Sequence, residues 1–529
     1  MSAAGRRPAW TEAPRPRLET VVAAEGRQGI KAVRGANQRA QLVVSAAPLV
    51  AVGAVAALLR FWELTRIGFN SDEAVYAGTA ASIAGDQSLR AMFPVFRAHP
   101  LLFQMLLALA GHGHPPSEWA ARAVPATIGV LTVLVTYLLA ARLYSRTAGL
   151  LAAAVLAVMP YHVVVSRQVL LDGLLTLCAT VVLYCVVRYA ESAALRWLLA
   201  AGAAMGVSVL AKETGVVLLG GLYAFFALTP TIRMRLPQLA AATGVLVLTA
   251  APFPLVLSLA GRAATGRNYL LWQAFRRGNH GFGFYLQVLP GALGPVVVLA
   301  ALGGLLWWYR ERTWRERLLV CWLAVPLAFF TLWPVKGYQY LLPLAPAVAV
   351  LAARTLDRLR PKAVLAVGAA LALGSLAVPS WLAVNPAPTG TFLAGTGGLP
   401  GGREAGRWVA QRVPAGAELL AIGPSMANVL QFYGHRRVLA LSVSPNPNDR
   451  NPAYLPVPNP DRALRDGQFQ YLVWDSYTAD RAVFFADEIR RLVDKYHGVA
   501  AYTGTQPVRG RSGALATQPV IVIYQVRAA

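Results

Sequence analysis

The sequence carries little charge for its length. Only 14% of its 529 residues are charged and 56% are hydrophobic, and the mean hydropathy is +0.48. A soluble protein of this size needs more charge to cover its surface. The composition therefore excludes an ordinary soluble globular protein and indicates a membrane protein with several spans.

Cysteine and nucleotide-binding glycine motifs are also scarce. The three cysteines, Cys178, Cys185 and Cys321, lie inside apolar runs, so no disulfide framework or CxxC metal site is available. The C-terminal part has neither GxGxxG nor a P-loop, which leaves nucleotide binding unsupported. The net charge of +25 comes from arginines scattered between apolar runs rather than from one basic stripe. That distribution argues against a nucleic-acid partner.

Apolar segments recur along most of the chain, and eleven are long enough to be candidate spans. They cover residues 43–62, 118–141, 147–165, 169–189, 196–211, 213–229, 237–259, 289–309, 317–334, 339–353 and 363–384. If the N-terminus is cytoplasmic, the predicted cytoplasmic connections read "ARLYSR", "VRYAESAALR", "TIRMRLP", "YRERTWRER" and "RTLDRLRPK". Each holds at least two basic residues, as the positive-inside rule requires. We therefore expect a multi-pass plasma-membrane protein.

The same topology predicts the domain organisation. Residues 1–42 form a disordered, basic cytoplasmic tail, and residues 43–384 form the transmembrane domain, with the first external loop at 63–117. Residues 385–402 are a Gly/Pro-rich linker. Helix and strand patterns then alternate over residues 403–529, which predicts an extracytoplasmic α/β domain with a largely parallel sheet. This domain either helps to recognise an acceptor or serves as a lid or stabilising cap.

The first external loop opens with "GFNSDEAVYAGTAASIAG". Asn70 or Ser71 is suited to cap a helix that begins at Asp72, close to the positive end of the helix dipole. Val75 and Ile83 give this helix a side that could lie on the membrane interface. The following "HPLLFQMLLALAG" is too short to span a membrane, so we expect a second interfacial or re-entrant helix.

Ionisable residues gather on the external side of the predicted topology. Two of the five lysines, Lys212 and Lys336, lie at external helix ends, where the positive-inside rule disfavours them. Ionisable groups at membrane depth are costly and are functional by default, although snorkelling to the headgroups is the alternative. Asp172 either pairs with Arg167, which requires the helix to break and turn near Ser166, or contacts a ligand directly.

The chain resembles a known family at this point. The pattern "DE..YA..A..I" after the first span is followed by "HPLLFQML", "SRQVLLDGLLT", "LAKETGVVLL" and "KGYQYLLPLAP" in that order. It is similar to the GT-C glycosyltransferases of the protein-mannosyltransferase and lipid A aminoarabinose-transferase type. The resemblance implies a polytopic α-helical membrane protein of about 11 transmembrane helices with a C-terminal α/β domain. Gln339 departs from the basic residue that relatives often carry before the tyrosine.

The resemblance also implies a reaction, the transfer of a sugar from a polyprenyl-phosphate donor to a hydroxyl of a glycan, glycolipid or protein, with inversion. Asp72 is then the general base and Glu73 supports it. The residues expected to bind the donor phosphate or sugar are His99, Arg167, Asp172, Lys212, Lys336, Tyr338, Tyr340 and Arg276.

Two alternatives remain open. A divalent cation could be held by Asp72, Glu73, His99 and Asp172, although no tight metal-ligand spacing is visible. The chain could also be a transporter or flippase of a lipid-linked sugar, which would be expected to show internal repeats and polar residues near the bilayer midplane. A structural or assembly protein would leave the external carboxylates unexplained.

Overall fold

The protein is described from a computed structural model. The structure describes residues 46–95, 99–111, 113–385, 398–442, 444–446, 450–509 and 515–527. The predicted cytoplasmic tail and most of the predicted 385–402 linker lie outside these residues. The chain divides into two units, residues 1–51 and residues 52–529, and the site lies within the second.

Helices account for nearly all of the described structure before residue 386. Two 3₁₀ helices cover Glu213–Val216 and Tyr338–Leu344. The α-helices are α1 Ala46–Phe61, α2 Ser71–Ile83, α3 Gln87–Arg90, α4 Leu102–Ala110, α5 Glu118–Leu143, α6 Arg146–Ala157, α7 Pro160–Val165, α8 Leu171–Ser192, α9 Leu195–Ala211, α10 Val217–Leu228, α11 Leu236–Ala250, α12 Pro252–Leu259, α13 Ala263–Phe275, α14 Phe284–Leu293, α15 Pro295–Glu311, α16 Trp314–Leu332, α17 Ala345–Asp357 and α18 Lys362–Val384.

Four helical segments within the described residues are long and apolar enough to cross a membrane: α5, α8, Tyr338–Asp357 and α18. The bent pairs α11–α12 and α14–α15, with angles of 40° and 102°, bring the number to six. Four further apolar helices are shorter. Each of the eleven predicted segments coincides with a helix or with consecutive helices, and the number of crossings stays a prediction.

Helix α2 begins where the sequence indicates. Asn70 is its N-cap and accepts a hydrogen bond from the Glu73 amide, while the Glu73 side chain accepts one from the Asn70 amide. This reciprocal capping box fixes the first turn. Nine of its thirteen residues are buried by other parts of the protein. Helix α2 therefore packs mainly against protein, and its place at the membrane interface stays a prediction. Gly78 permits one of these contacts, since a Cβ there would lie 2.5 Å from the Phe93 ring.

The C-terminal domain consists of a five-stranded sheet and flanking helices. Its strands are β1 Leu419–Ala421, β2 Val438–Ala440, β3 Tyr471–Asp475, β4 Val499–Arg509 and β5 Leu515–Gln525, in the order β2-β1-β3-β5-β4. Its helices are α19 Gly402–Arg412, α20 Pro424–Gly434, α21 Pro460–Arg465, α22 Ser476–Ala479 and α23 Val483–Lys495.

The sheet is mixed rather than largely parallel. Strand β1 pairs in parallel with β2 and β3, whereas β5 pairs antiparallel with β3 and β4. Strand β5 begins soon after β4 ends, and a short connection favours an antiparallel pair. The predicted order of helices and strands agrees with the structure, whereas the expectation of a largely parallel sheet is wrong because β5 runs antiparallel to both of its neighbours.

The C-terminal domain packs directly on the start of α2. The Phe69 amide donates to the Tyr433 hydroxyl at 2.9 Å, and Arg403 donates to the Thr65 carbonyl at 2.8 Å. Asn428 of α20 donates to the Ser71 hydroxyl at 3.0 Å. These contacts place a C-terminal domain helix beside the residue that precedes Asp72.

Candidate functional site

A cavity of about 240 Å³ opens at the N-terminal end of α2. We call it the Asp72 cavity. Its walls come from the segment between α1 and α5, from the connections that follow α9 and α16, and from α13. The C-terminal domain closes one side. The polar and aromatic residues that line it are Asp72, Tyr76, Thr79, His99, Gln104, Lys212, Glu213, Thr214, Tyr269, Trp272, Gln273, Arg276, Gln339, Tyr340, Asn451 and Tyr454.

Asp72 is the second residue of α2, and its side chain is open to the cavity. Protein groups nevertheless surround the carboxylate on most sides, and this desolvation raises the pKa of Asp72 above its usual value. The positive charge of Lys212 opposes that rise. An accessible carboxylate with a raised pKa is a stronger proton acceptor than a fully solvated one, as a general base requires.

Glu73 points away from the cavity, into the protein. Its two carboxylate oxygens each accept a 2.7 Å hydrogen bond from Arg122, one from Nε and one from Nη2. The amides of Asn70 and Val169 donate to the same carboxylate at 3.0 and 3.1 Å. The side chain is only 1% exposed. This geometry gives Glu73 the role of fixing α2, and no contact places it in reach of a ligand in the cavity.

His99 is held by a chain of hydrogen bonds across the cavity wall. Its Nδ1 lies 3.0 Å from a Glu213 carboxylate oxygen, and its Nε2 lies 3.1 Å from the Tyr269 hydroxyl. Gln273 donates to that hydroxyl at 2.6 Å, which leaves the hydroxyl hydrogen free to point at His99. The arrangement orients a ring that also contacts Tyr76 edge-on.

Asp172 and Lys212 form a buried ion pair. The Lys212 ammonium lies 2.8 and 2.9 Å from the two carboxylate oxygens of Asp172, and the residues are 5% and 2% exposed. The Lys212 ammonium also lies 4.7 Å from the centre of the Tyr340 ring. The possible pairing of Asp172 with Arg167 is therefore not the one that forms, because α9 brings Lys212 to the first turn of α8.

Arg276 is the remaining cation that lines the cavity. Its guanidinium carbon lies 4.4 Å from the Trp272 ring centre, and its Nε is buried without a hydrogen-bond partner among the described groups. No carboxylate pairs with it in the described part of the chain. Arg276 is thus better placed than Lys212 to neutralise a ligand's negative charge.

Four of the predicted donor-binding residues do not line the cavity. One is Asp172, which is paired with Lys212, and the others are Arg167, Lys336 and Tyr338. Arg167 donates to the carbonyls of Leu59 and Arg60 and lines a separate, 40 Å³ cavity. The buried Lys336 ammonium donates to the Trp333 carbonyl at 2.9 Å. Tyr338 packs on Tyr161 with ring centres 4.8 Å apart.

Sequence reasoning missed Tyr269, Gln273 and Tyr454, and it assigned no role to Glu213. Glu213 lies next to Lys212 in "LAKETG", and a second ionisable residue at a predicted external helix end was a usable signal. Tyr269 and Gln273 are one helical turn apart on α13, but nothing in their spacing indicates that they meet His99. Tyr454 comes from a Pro/Asn-rich loop without any motif.

The candidate metal ligands Asp72, Glu73, His99 and Asp172 are not placed together around one point where a metal ion could bind. Among the described residues, no three His, Cys, Asp or Glu side chains are placed to hold a metal ion. Asp172 is neutralised by Lys212, and Glu73 by Arg122.

The sequence between residues 98 and 254 matches a family model described as dolichyl-phosphate-mannose-protein mannosyltransferase. None of the curated proteins matches the chain by sequence. Among solved structures, ArnT from Cupriavidus metallidurans in the apo state is similar, with a TM-score of 0.67 and 17% identity over 91% of this chain and 98% of ArnT. The same protein bound to undecaprenyl phosphate gives 0.65 and 16%, over 90% of this chain and 98% of ArnT.

The apo oligosaccharyltransferase of Archaeoglobus fulgidus is similar with a TM-score of 0.58 and 15% identity, over 90% of this chain and 74% of that one. These likenesses extend over both the helical part and the C-terminal domain. The chain therefore has the GT-C fold, with several apolar helices and a small C-terminal sheet domain, as the sequence predicts.

Proposed function

We propose that this protein is an integral-membrane glycosyltransferase that moves a sugar from a polyprenyl-phosphate donor to an acceptor hydroxyl. The observation that carries the proposal is the Asp72 cavity, in which an accessible carboxylate, an unpaired guanidinium and several aromatic rings face one space. Relatives of the same fold support it, because ArnT has been seen with undecaprenyl phosphate and the Archaeoglobus enzyme AglB with a dolichol-phosphate.

In the proposed reaction, Asp72 accepts the proton of the acceptor hydroxyl as the oxygen attacks the anomeric carbon. The bond between that carbon and the phosphate oxygen breaks, and its electron pair leaves with the polyprenyl phosphate. Arg276 stabilises the negative charge that develops on the phosphate. Lys212, which stays paired with Asp172, adds a weaker electrostatic contribution from the cavity wall. A single displacement of this kind inverts the anomeric configuration.

The aromatic residues have a separate task in this proposal. Tyr269, Trp272 and Tyr340 offer flat apolar faces for a sugar ring, with polar atoms at their edges. His99, fixed by Glu213 and Tyr269, presents a ring of set orientation beside Asp72. Together these groups orient the donor so that its anomeric carbon faces the base.

The basic connections on one side of the helices support a cytoplasmic N-terminus and an extracytoplasmic site. Lipid-linked sugars on that face would enter the cavity from the membrane. The same orientation puts the C-terminal domain outside the cytoplasm.

The test uses the purified chain in lipid nanodiscs with a polyprenyl-phosphate sugar and candidate hydroxyl acceptors. Asp72→Asn keeps the shape of the side chain and removes its basicity, so turnover should fall by about 10²- to 10⁴-fold while the protein stays folded. Asp487→Asn, a change at an exposed carboxylate of α23, is the matched control. Equal turnover by Asp72→Asn and wild type would exclude Asp72 as the base. If polyprenyl phosphate is never released with any acceptor, while labelled donor crosses the bilayer of vesicles that contain the protein, the transporter alternative replaces this proposal.

A further inference from the structure

A second cavity, of about 330 Å³, lies between the C-terminal domain and the first external loop. We call it the Arg437 cavity, and the residues that define it are Ala91, Arg262, Asn428, Gln431, Arg437 and Tyr454. It is larger than the Asp72 cavity, and the reaction proposed above does not use it.

The two cavities share a wall. Ala453 and Tyr454 line both of them. Asn428 joins this wall to α2, since its Nδ2 donates to the Tyr454 hydroxyl and to the Ser71 hydroxyl, each at 3.0 Å. Ser71 directly precedes Asp72 in the sequence. A ligand in the Arg437 cavity therefore lies next to the end of α2 that carries the base.

The charge of the two cavities differs. The Asp72 cavity contains Asp72 and Glu213, whereas none of the described residues that line the Arg437 cavity carries a carboxylate. Arg262 and Arg437 both face the Arg437 cavity. Arg262 forms no ion pair within the described residues, and Arg437 pairs with Glu418 through one nitrogen at 3.0 Å. The cavity therefore favours a ligand with negative charge.

Asn428 adds a second requirement. The residue is completely buried, and its Oδ1 accepts no hydrogen bond from any described group. A buried carbonyl oxygen without a donor is costly. A ligand hydroxyl would supply the missing hydrogen, and Gln431 offers a further amide on the same helix. The ligand should therefore carry hydroxyl donors as well as negative charge.

From these observations we infer that the Arg437 cavity binds an acidic saccharide, one with carboxylate or phosphate groups, which presents its hydroxyl to Asp72. Such a sugar has hydroxyls for Asn428 and Gln431 and an anionic group for the two arginines. The role of this saccharide as the acceptor rests on the proposed function, whereas its binding to the cavity does not depend on turnover.

Binding is measured with the full chain in nanodiscs by isothermal titration, without donor. The probes are tetragalacturonate, maltotetraose carrying a 6-phosphate, neutral maltotetraose and tetraglutamate. We expect at least one acidic saccharide to bind about tenfold more tightly than neutral maltotetraose, because a charge-assisted hydrogen bond contributes at least about 1.5 kcal/mol. Arg262→Gln and Arg437→Gln should each weaken that binding about tenfold, whereas the matched surface variant Arg491→Gln should not change it.

The carboxylated and phosphorylated probes identify which anion is preferred. Equal affinity for neutral and acidic saccharides, or unchanged affinity in the Arg262→Gln/Arg437→Gln double variant, would overturn the inference. Tighter binding of tetraglutamate than of either acidic saccharide would also overturn it, in favour of a peptide. Undecaprenyl phosphate binding should stay the same in both arginine variants. A loss of donor turnover in every assay with saccharide binding intact would count against the proposed function alone.

Discussion

Substitution of Glu73 by glutamine separates the two adjacent carboxylates of α2. Glu73 accepts four hydrogen bonds, two of them from Arg122, inside a site that is almost completely buried. Glu73→Gln removes the negative charge and leaves the Arg122 guanidinium buried without a counterion. Breaking a buried pair by removing one partner costs about 3–5 kcal/mol. Because glutamine keeps one acceptor oxygen, we expect a loss near 3 kcal/mol.

The effect should appear as stability rather than as chemistry. Purified variants in nanodiscs are heated, and the folded fraction is followed beside turnover measured well below the melting temperature. Glu73→Gln should melt several degrees lower and keep turnover within about threefold, since its charge does not act on the substrate. Asp72→Asn should show the opposite result, with unchanged melting and a turnover at least 10²-fold lower.

A double variant tests the assignment to the ion pair. Glu73→Gln/Arg122→Gln removes both charges, so part of the lost stability should return, and the coupling between the two changes should exceed about 1 kcal/mol. Arg122 also donates to the Leu64 and Gly68 carbonyls, so recovery will be incomplete. If Glu73→Gln melts like wild type but loses turnover as completely as Asp72→Asn, the structural role of Glu73 is refuted and Glu73 acts in the reaction.

Three further predictions concern other parts of the molecule. Arg276→Gln should weaken undecaprenyl phosphate binding about tenfold, measured by titration, and Arg277→Gln is its neighbouring control; equal affinities would remove Arg276 from the donor site. Burial raises the pKa of Asp475 from 3.8 to about 6, so this carboxyl binds its proton more tightly in the folded domain, and the stability it contributes is present below pH 4 and lost as the pH rises through 6. The loss is about 3 kcal/mol, and hydrogen exchange of β3 at pH 4.5 and 7.5 should show a smaller difference in Asp475→Asn; an identical difference would contradict the assignment. In intact cells an impermeant maleimide should label Arg491→Cys but not Arg310→Cys, because the proposed topology puts residue 491 outside the cytoplasm and residue 310 inside it. The native Cys178, Cys185 and Cys321 are buried and should add little background; the reverse pattern would invert the topology.

Local features of the site could be predicted from the sequence, because local chemistry determines them. The Asn70 cap, the start of α2 and the position of Asp72 depend on a few consecutive residues whose hydrogen bonds close on themselves. The helical segments follow from the length of apolar runs in the same way. The mixed sheet was missed because strand alternation does not show which way the final strand runs.

Pairing between distant residues could not be predicted. Lys212 lies 40 residues from Asp172, and Arg167 is much closer in sequence, yet the packing of α8 on α9 selects Lys212. Lys336 looks like a ligand-binding cation from its place at an external helix end, but its ammonium is satisfied by the carbonyls of Trp333 and His280. A sequence records the charge of such a residue and not the backbone groups that surround it after folding.

The C-terminal domain contacts the segment that carries Asp72, the proposed base, as directly as the helical part does. The Tyr433 hydroxyl accepts a hydrogen bond from the Phe69 amide and donates one to Glu118, the first residue of α5. One hydroxyl therefore ties the C-terminal domain to both ends of the segment between α1 and α5. Asn428 holds Ser71, the residue before Asp72. The position of Asp72 is thus set from two sides, by the buried Glu73–Arg122 pair beneath α2 and by α20 above it. A backbone held in this way keeps the proposed base at one place in the cavity before an acceptor hydroxyl arrives, as electrostatic preorganisation requires.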